Sequence, residues 1–565
     1  FFFKQKTAYE IPKRDWSSNV CSSDLGGPSP LPVSVRGGSA LRRGGRFGRS
    51  DGDGKPGFMA PAILSPGPLF APPVEPQYAR AMNASADPNL PPTGLAALQA
   101  RVERDLDLIK YPEPRWMPVR HAPDGTRALD VLIVGAGQCG QAIATQLLRE
   151  RVDNIALIDS AKRGQEGPWN TFARMQTLRT WKTVTGPDLA LPSLTFQSWF
   201  EAQFGAERFA LLNKIPKEQW HEYLLWVRDT LKLPVANQTR LESLEPAGDL
   251  VAARVHDAQG ATRVLHARKV VLAMGIVSSG RWWMPETVAA LPTRFRAHTA
   301  DAIDFQSLRG KRVAVLGAGA SAFDNAATAL EAGAAQVSLF CRRPSLQRVQ
   351  PYKAISFPGF LRHLGSADDP TRWRFMNHLL SVREALPVET WNRVTRHAQF
   401  ALHTGSPWDS VKVEGEAVRI GTPTGEHHAD FLIAGTGFDL DVRARSELGR
   451  HAADIATWAD RYTPPPGEDN PRLARYPYLG PGQQLLSRNP DSAEFLSRIH
   501  LMDFGTTVSF GPSGSSINAM KFAVPRVVEA LTRDLFLADI NEHYRTLLNY
   551  DTPEFGLEFA RDAAR

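Results

Sequence analysis

Two copies of one glycine pattern, each set between an apolar strand and a helix, and a repeated alternation of strand and helix signals place this chain in the α/β class. A buried strand recurs after each copy, so we read two Rossmann-like, three-layer (ββα/βαβ) dinucleotide-binding domains, the second inserted into a discontinuous first. The expected division gives residues 93–305 to the first part of the first domain, with a helical insert at 192–235. Residues 306–427 form the inserted domain, with a helical insert at 351–403, residues 428–545 complete the first domain, and residues 546–565 are a C-terminal tail.

The elements follow in order. Residues 1–25 carry "KQKTAYE" and "DWSSNVCSSDL", which resemble translated sequencing-adapter DNA and are set aside from the fold. Residues 26–92 are rich in Gly, Pro, Ser and Arg without periodicity, a composition too poor in apolar surface to order itself, and Met59 is the expected natural start. A lead-in helix from Thr93 precedes the first clear strand, Asp130–Val134. "LTFQSWFEAQF" and "KEQWHEYLLWVRDTLKL" repeat apolar residues three and four apart and predict amphipathic helices. "LVAARVHDA" and "RVLHARKVVLAMG" predict strands of an antiparallel insert that returns to the parallel sheet. A second βαβ signal opens at Lys311, and helices are expected in "RWRFMNHLLSVREAL" and "VETWNRVTRHAQFAL". "HADFLIAGTGF" reads as a buried strand ending in a glycine turn, and "NAMKFAVPRVVEALTRDLF" as the closing helix.

Bulk properties exclude several classes. The chain has 565 residues and a formal charge of +7, but residues 1–58 hold ten Lys and Arg against five Asp and Glu, which accounts for +5 of it. The remainder is near neutral, so no nucleic-acid partner is expected. Three cysteines, Cys21, Cys139 and Cys341, form no CxxC, which removes a redox dithiol, a disulfide framework and a Cys-based zinc site; no metal is expected. With no transmembrane segment and no cleavable signal pattern, the expected location is the cytoplasm. The oligomeric state is open, and a homo-oligomer is allowed.

The first copy, "DVLIVGAGQCGQAIATQLL", places Gly135, Gly137 and Gly140 in GxGxxG spacing. Gly135 permits the tight turn, Gly137 lets a pyrophosphate approach the backbone, and Gly140 lets helix and strand pack closely. Asp159 ends the next strand nineteen residues beyond Gly140, where a carboxylate accepts from ribose hydroxyls. In the second copy Gly317, Gly319 and Ala322 keep the spacing, but the acidic position is taken by Arg342, with Arg343 beside it. A carboxylate repels a 2′-phosphate and arginine attracts one, so the first site suits FAD and the second NADPH.

These residues resemble the two-dinucleotide-domain flavoproteins, and within them the class B flavin-dependent monooxygenases, from about Asp130 to Leu535. The resemblance also rests on "GPWN" at Gly167–Asn170, on the GxGxS form with Ser321, and on "LAMG" and "AGTGF", which place Gly275, Thr436 and Gly437 in the turns linking the two domains. It implies that Trp169 lies against the flavin ring. It also implies that NADPH reduces FAD, that a C4a-hydroperoxyflavin forms with oxygen, and that a small substrate is oxygenated at nitrogen or sulfur. The alternatives are a reductase passing electrons to a partner protein and a flavin-binding sensor without turnover. The Baeyer-Villiger signature FxGxxxHxxxW is not met: His298 is in its neighbourhood, but Pro292, Arg294 and Ala302 replace its Phe, Gly and Trp. No catalytic residue is nominated. Lys182 and the 351–403 segment are expected to shape the pocket, and Ser515, Ser516 and Asn518 to cap the closing helix.

Overall fold

A computed structural model describes residues 94–109, 115–276, 278–512, 514 and 516–555. The adapter-like stretch, the Gly/Pro-rich tail, Met59 and Ser515 lie outside the described residues.

The first sheet contains β1 (Leu129–Val134), β2 (Ile155–Ile158), β3 (Val235–Ala236), β4 (Arg240–Ala247), β5 (Leu250–His256) and β6 (Thr262–Leu272), in the order β3-β2-β1-β6-β5-β4. β1 runs parallel to β2 and β6, while β4, β5 and the first half of β6 are antiparallel. β1 reads "LDVLIV" and is buried from its second residue onward, because a central parallel strand is covered on both faces. β5 instead alternates, with Val251, Ala253 and Val255 buried and Arg254 exposed, as expected of a strand with one wet face. The helix Gln138–Arg149 crosses from β1 to β2 and buries Ile143 and Leu147 among Ile133, Val524, Val528 and Leu531. The last three of these come from the helix Ile517–Ala538, so the far end of the chain seals the first core.

Next along the chain come β7 (Gly280–Trp282), β8 (Arg296–His298), β9 (Arg312–Leu316), β10 (Gln336–Phe340) and β11 (Phe400–His403). A meander follows, β12 (Ser410–Glu414), β13 (Ala417–Thr422) and β14 (Gly425–Ala429), and then β15 (Phe431–Ala434), β16 (Phe438–Leu440) and β17 (Ile499–Leu501). The second sheet is wholly parallel, in the order β11-β10-β9-β15-β8. β17 returns to the first sheet and pairs with the second half of β6, and β7 pairs antiparallel with β16 where the chain passes between the two halves.

Some sequence expectations need correction. The divisions at 305/306 and 427/428 assign β8 and β15 to the first domain, but both are strands of the second sheet. The turn after β15, not the strand itself, leads back to the first half. The 351–403 segment is not helical throughout. Its helices are Tyr352–Ile355, Pro358–His363, Asp369–Val382 and Val388–Thr395, and its last four residues are β11. The apolar spacing in "HAQFAL" fits a helix locally, but Val337 and its neighbours on β10 offer an open ladder, and pairing overrides local period. The helix Asp369–Val382 stops short of "REAL" because Arg383 adopts a left-handed φ of 70° while its N–H still closes on Leu379 O. The closing helix is followed by another, Ile540–Leu548, which runs into the expected tail.

Candidate active site

A cavity of about 2120 Å³ lies between the two sheets, well above the ~300–1,000 Å³ usual for one small ligand. Both glycine turns open on it. Gly135 needs its glycine twice over: its φ is 103°, and a Cβ would stand 2.4 Å from Ala273 O. Gly140 lies behind the cavity wall, where a Cβ would meet Gly135 O at 1.9 Å, so it serves helix–strand packing. Gly137 differs from both. Its φ of −71° suits any residue, and a Cβ there would meet no protein atom within 4 Å. The second turn repeats the design. Gly317 has φ 120° and would place a Cβ 2.2 Å from Gly435 O, whereas Gly319, at φ −76°, faces open space. Gly435 also accounts for the alanine in the third position, since a Cβ on it would come within 2.5 Å of Ala322 Cβ. Sequence reading missed that exchange of a glycine across two turns.

Asp159 sits at the rim of the first turn, its Oδ2 accepting from Ala136 N and its Oδ1 from Ala161 N, both at 2.8 Å. Burial pushes its carboxyl above the usual range and the two N–H groups pull it back. Trp169 lines the cavity with a buried ring, and its carbonyl accepts from Lys217 Nζ at 2.8 Å. Ser321 is exposed to the cavity in the first turn of the helix Ala320–Glu331.

Arg342 and Arg343 both line the cavity but are not equivalent. Arg343 donates to Val382 O at 3.2 Å and Ser381 O at 3.3 Å, which satisfies the end of the helix Asp369–Val382. Arg342 is exposed, and no carboxylate among the described residues pairs with it.

The linking turns are where expected. Gly275 has φ 91° and faces open space, Thr436 Oγ1 donates to Trp283 O, and the Gly437 carbonyl accepts from Trp283 N at 3.1 Å. Gly437 O also accepts from His298 Nε2 at 2.9 Å, while His298 Nδ1 accepts from Ala300 N at 3.1 Å. Those partners fix a neutral ring, burial lowers its pKa, and it ties β8 to the linker as a structural residue.

Two residues depart from their expected roles. Lys182 does not line the cavity; its Nζ donates to Phe209 O at 2.7 Å and Ala210 O at 2.9 Å, satisfying the end of the helix Ala206–Leu211. Ser516 stands at the N-cap of Ile517–Ala538 but makes no side-chain cap, and it lines the cavity with Asn518. The 351–403 segment contributes Tyr352, Leu379 and Arg383 to the wall. Behind the wall, the fully buried Asp503 accepts from Ser278 Oγ, from Ser279 Oγ at 2.6 Å and from Gly505 N at 2.7 Å, pinning the turn after β17 to the linker. A lone Asp in "HLMDFG" carries no pattern by which it could have been found.

The comparisons agree with this geometry. Residues 132–359 match the profile of the pyridine nucleotide-disulphide oxidoreductase family. The chain is 43% identical over 462 residues to a protein of Xanthomonas campestris pv. campestris described as FAD-dependent urate hydroxylase, covering 82% of this chain and 97% of that one. Among solved structures, the ornithine N-hydroxylase of Kutzneria sp. 744 superposes with a TM-score of 0.57 at 18% identity, over 72% of this chain and 99% of that one. L-lysine 6-monooxygenase of Pseudomonas syringae gives a TM-score of 0.55 at 18% identity, over 72% and 99%. Fold, paired glycine turns and extended identity agree: the chain belongs to the two-dinucleotide-domain flavoproteins, in the FAD-dependent monooxygenase family that includes that urate hydroxylase.

Proposed function

We propose that this monooxygenase acts on urate or a closely related oxidised purine, with FAD held at the first glycine turn and NADPH at the second. The observation that carries the substrate is the 43% identity to the urate hydroxylase across 97% of that protein. It replaces a general nitrogen- or sulfur-bearing substrate with one nitrogen-rich heterocycle.

The residues fit both cofactors. Three helices start at the cavity, Gln138–Arg149, Ala320–Glu331 and Ile517–Ala538, and none has a side-chain cap. Elsewhere Thr195, Asp368 and Asn489 cap their helices, while others such as Lys217–Thr230 and Val388–Thr395 are uncapped. Uncapped N–H groups and the positive end of the helix dipole suit an anion, and Gly137 and Gly319 leave the space a phosphate needs. Asp159 offers lone pairs to ribose hydroxyls, and Arg342 offers its free guanidinium to a 2′-phosphate. Bound there, FAD and NADPH supply hydride transfer and the activation of oxygen. The chain's part is to orient the reactants and keep water out, which Trp169, Trp282 and Phe438 do from the wall. Cys139 and Cys341, the cysteines among the described residues, are both buried and are not paired with each other.

The test is oxygen uptake with NADPH, with and without urate. Urate should accelerate NADPH oxidation and lower the yield of hydrogen peroxide. NADPH oxidation that ignores urate and returns all its electrons as peroxide would remove the substrate assignment.

A further inference from the structure

One wall of the cavity carries more positive charge than the 2′-phosphate of NADPH requires. Besides Arg342 and Arg343 it presents Arg383, just past the helix Asp369–Val382, and Arg472, from the segment between β16 and β17. Several arginines elsewhere have carboxylate partners, Arg228 with Glu166, Arg393 with Asp324 and Glu331, and Arg475 with Asp439 and Asp441, while others such as Arg296 and Arg526 serve backbone carbonyls. Arg383 and Arg472 are exposed at the cavity and pair with no carboxylate among the described residues. Glu384, next in sequence, pairs with Arg179 instead. Guanidinium groups gathered at a cavity without carboxylate partners suit an anion.

Arg472 donates to Phe438 O at 3.2 Å, on the β7–β16 linker where the two halves of the molecule meet. Phe438 packs edge-on against Phe504 with ring centroids 5.0 Å apart, and both rings line the cavity with Tyr352. Flat aromatic side chains and two arginines without carboxylate partners therefore line the cavity together. Partial desolvation at the cavity wall, and then repulsion from Arg472, Arg343 and Arg342, lowers the pKa of the exposed Arg383 guanidinium, which marks the four as neighbours.

We infer that Arg383 and Arg472 are the anion-recognising residues of the substrate pocket, and that the substrate is a planar heteroaromatic anion held among Tyr352, Phe438 and Phe504. This rests on the purine reading above and adds what that reading lacks, a reason for preferring the oxidised, anionic purine. Urate is a monoanion at neutral pH and hypoxanthine is neutral, though both are flat. Wild-type protein with FAD bound should hold urate in equilibrium dialysis at least about tenfold more tightly than hypoxanthine. Arg383→Ala and Arg472→Ala should each raise the urate dissociation constant about tenfold or more, remove most of the preference over hypoxanthine, and shift the NADPH dissociation constant less than twofold. Arg342→Ala should do the reverse. Retained flavin content shows that each variant is folded. If the two variants weaken NADPH instead of urate, the arginines belong to the cofactor phosphate and the inference fails. Unchanged urate binding in both variants, with wild type still consuming urate, also overturns it and leaves the purine reading standing. Wild type that binds NADPH but not urate overturns both.

Discussion

Nothing in the polypeptide around them requires glycine at Gly137 or Gly319. Neither backbone needs one, and a Cβ on either would touch no protein atom. Gly137→Val should therefore fold with an unchanged circular dichroism spectrum and yet purify colourless, because the side chain would stand where the pyrophosphate approaches. A yellow variant with full flavin would show that the first turn does not hold FAD. The paired arginines make a sharper case at the same scale. Sequence spacing treats Arg342 and Arg343 alike, but Arg343 already serves the carbonyls of Ser381 and Val382. A charge-assisted bond contributes about 1.5 to 3 kcal/mol, so Arg342→Ala should weaken NADPH by about tenfold or more while NADH binding stays nearly constant. Arg343→Ala should chiefly lower the melting temperature. Equal losses for NADPH and NADH in Arg342→Ala would mean that it does not read the phosphate.

At the scale of elements, Lys182 illustrates what a sequence conceals. Its two bonds to Phe209 O and Ala210 O end a short helix, so Lys182→Met should lower the melting temperature by a few degrees and leave the Michaelis constant for urate unchanged. A raised constant at constant stability would return it to the pocket. Both glycine turns, Asp159 and the strand-end turns were legible because each is a local pattern, with strand, turn and helix consecutive in the chain. The helices at Phe196–Phe204 and Lys217–Thr230 were legible through their period. The strand β11 was not, because it is a strand only by virtue of β10 beside it. Arg383, Arg472 and Asp503 were also hidden. Their setting is made by elements far apart in sequence, and no spacing rule joins residue 383 to residue 472.

At the scale of the whole molecule, the start of β1 and the C-terminal helices are joined by a buried charge cluster. Arg268 pairs with Asp130 at 3.5 Å and Asp539 at 2.8 Å, and Arg120 pairs with Asp539 and with Glu542 at 3.1 Å. Burial outweighs Arg268 and pushes the Asp130 carboxyl up to about 6. An unfolded aspartate titrates near roughly 4, so between those values the folded state holds a proton that the unfolded state has released. Asp130 thus favours folding at low pH, and that contribution is lost as pH rises through about 6. Asp130→Asn should match wild type in melting temperature near pH 4 and exceed it at pH 8. A variant less stable than wild type at pH 8 would show that Asp130 is held there as a favourable charge. The path of the chain has one more consequence. The second sheet is drawn from a continuous stretch, β8 to β15, whereas the first waits for β17 and for the helix Ile517–Ala538. During synthesis the inserted half can close while its host is still open, and domains generally fold as units as they emerge. A nascent chain stalled once Leu440 has left the ribosome should resist protease across β9 and β10 and remain cleavable across β1, so the later half of the protein's architecture is finished first.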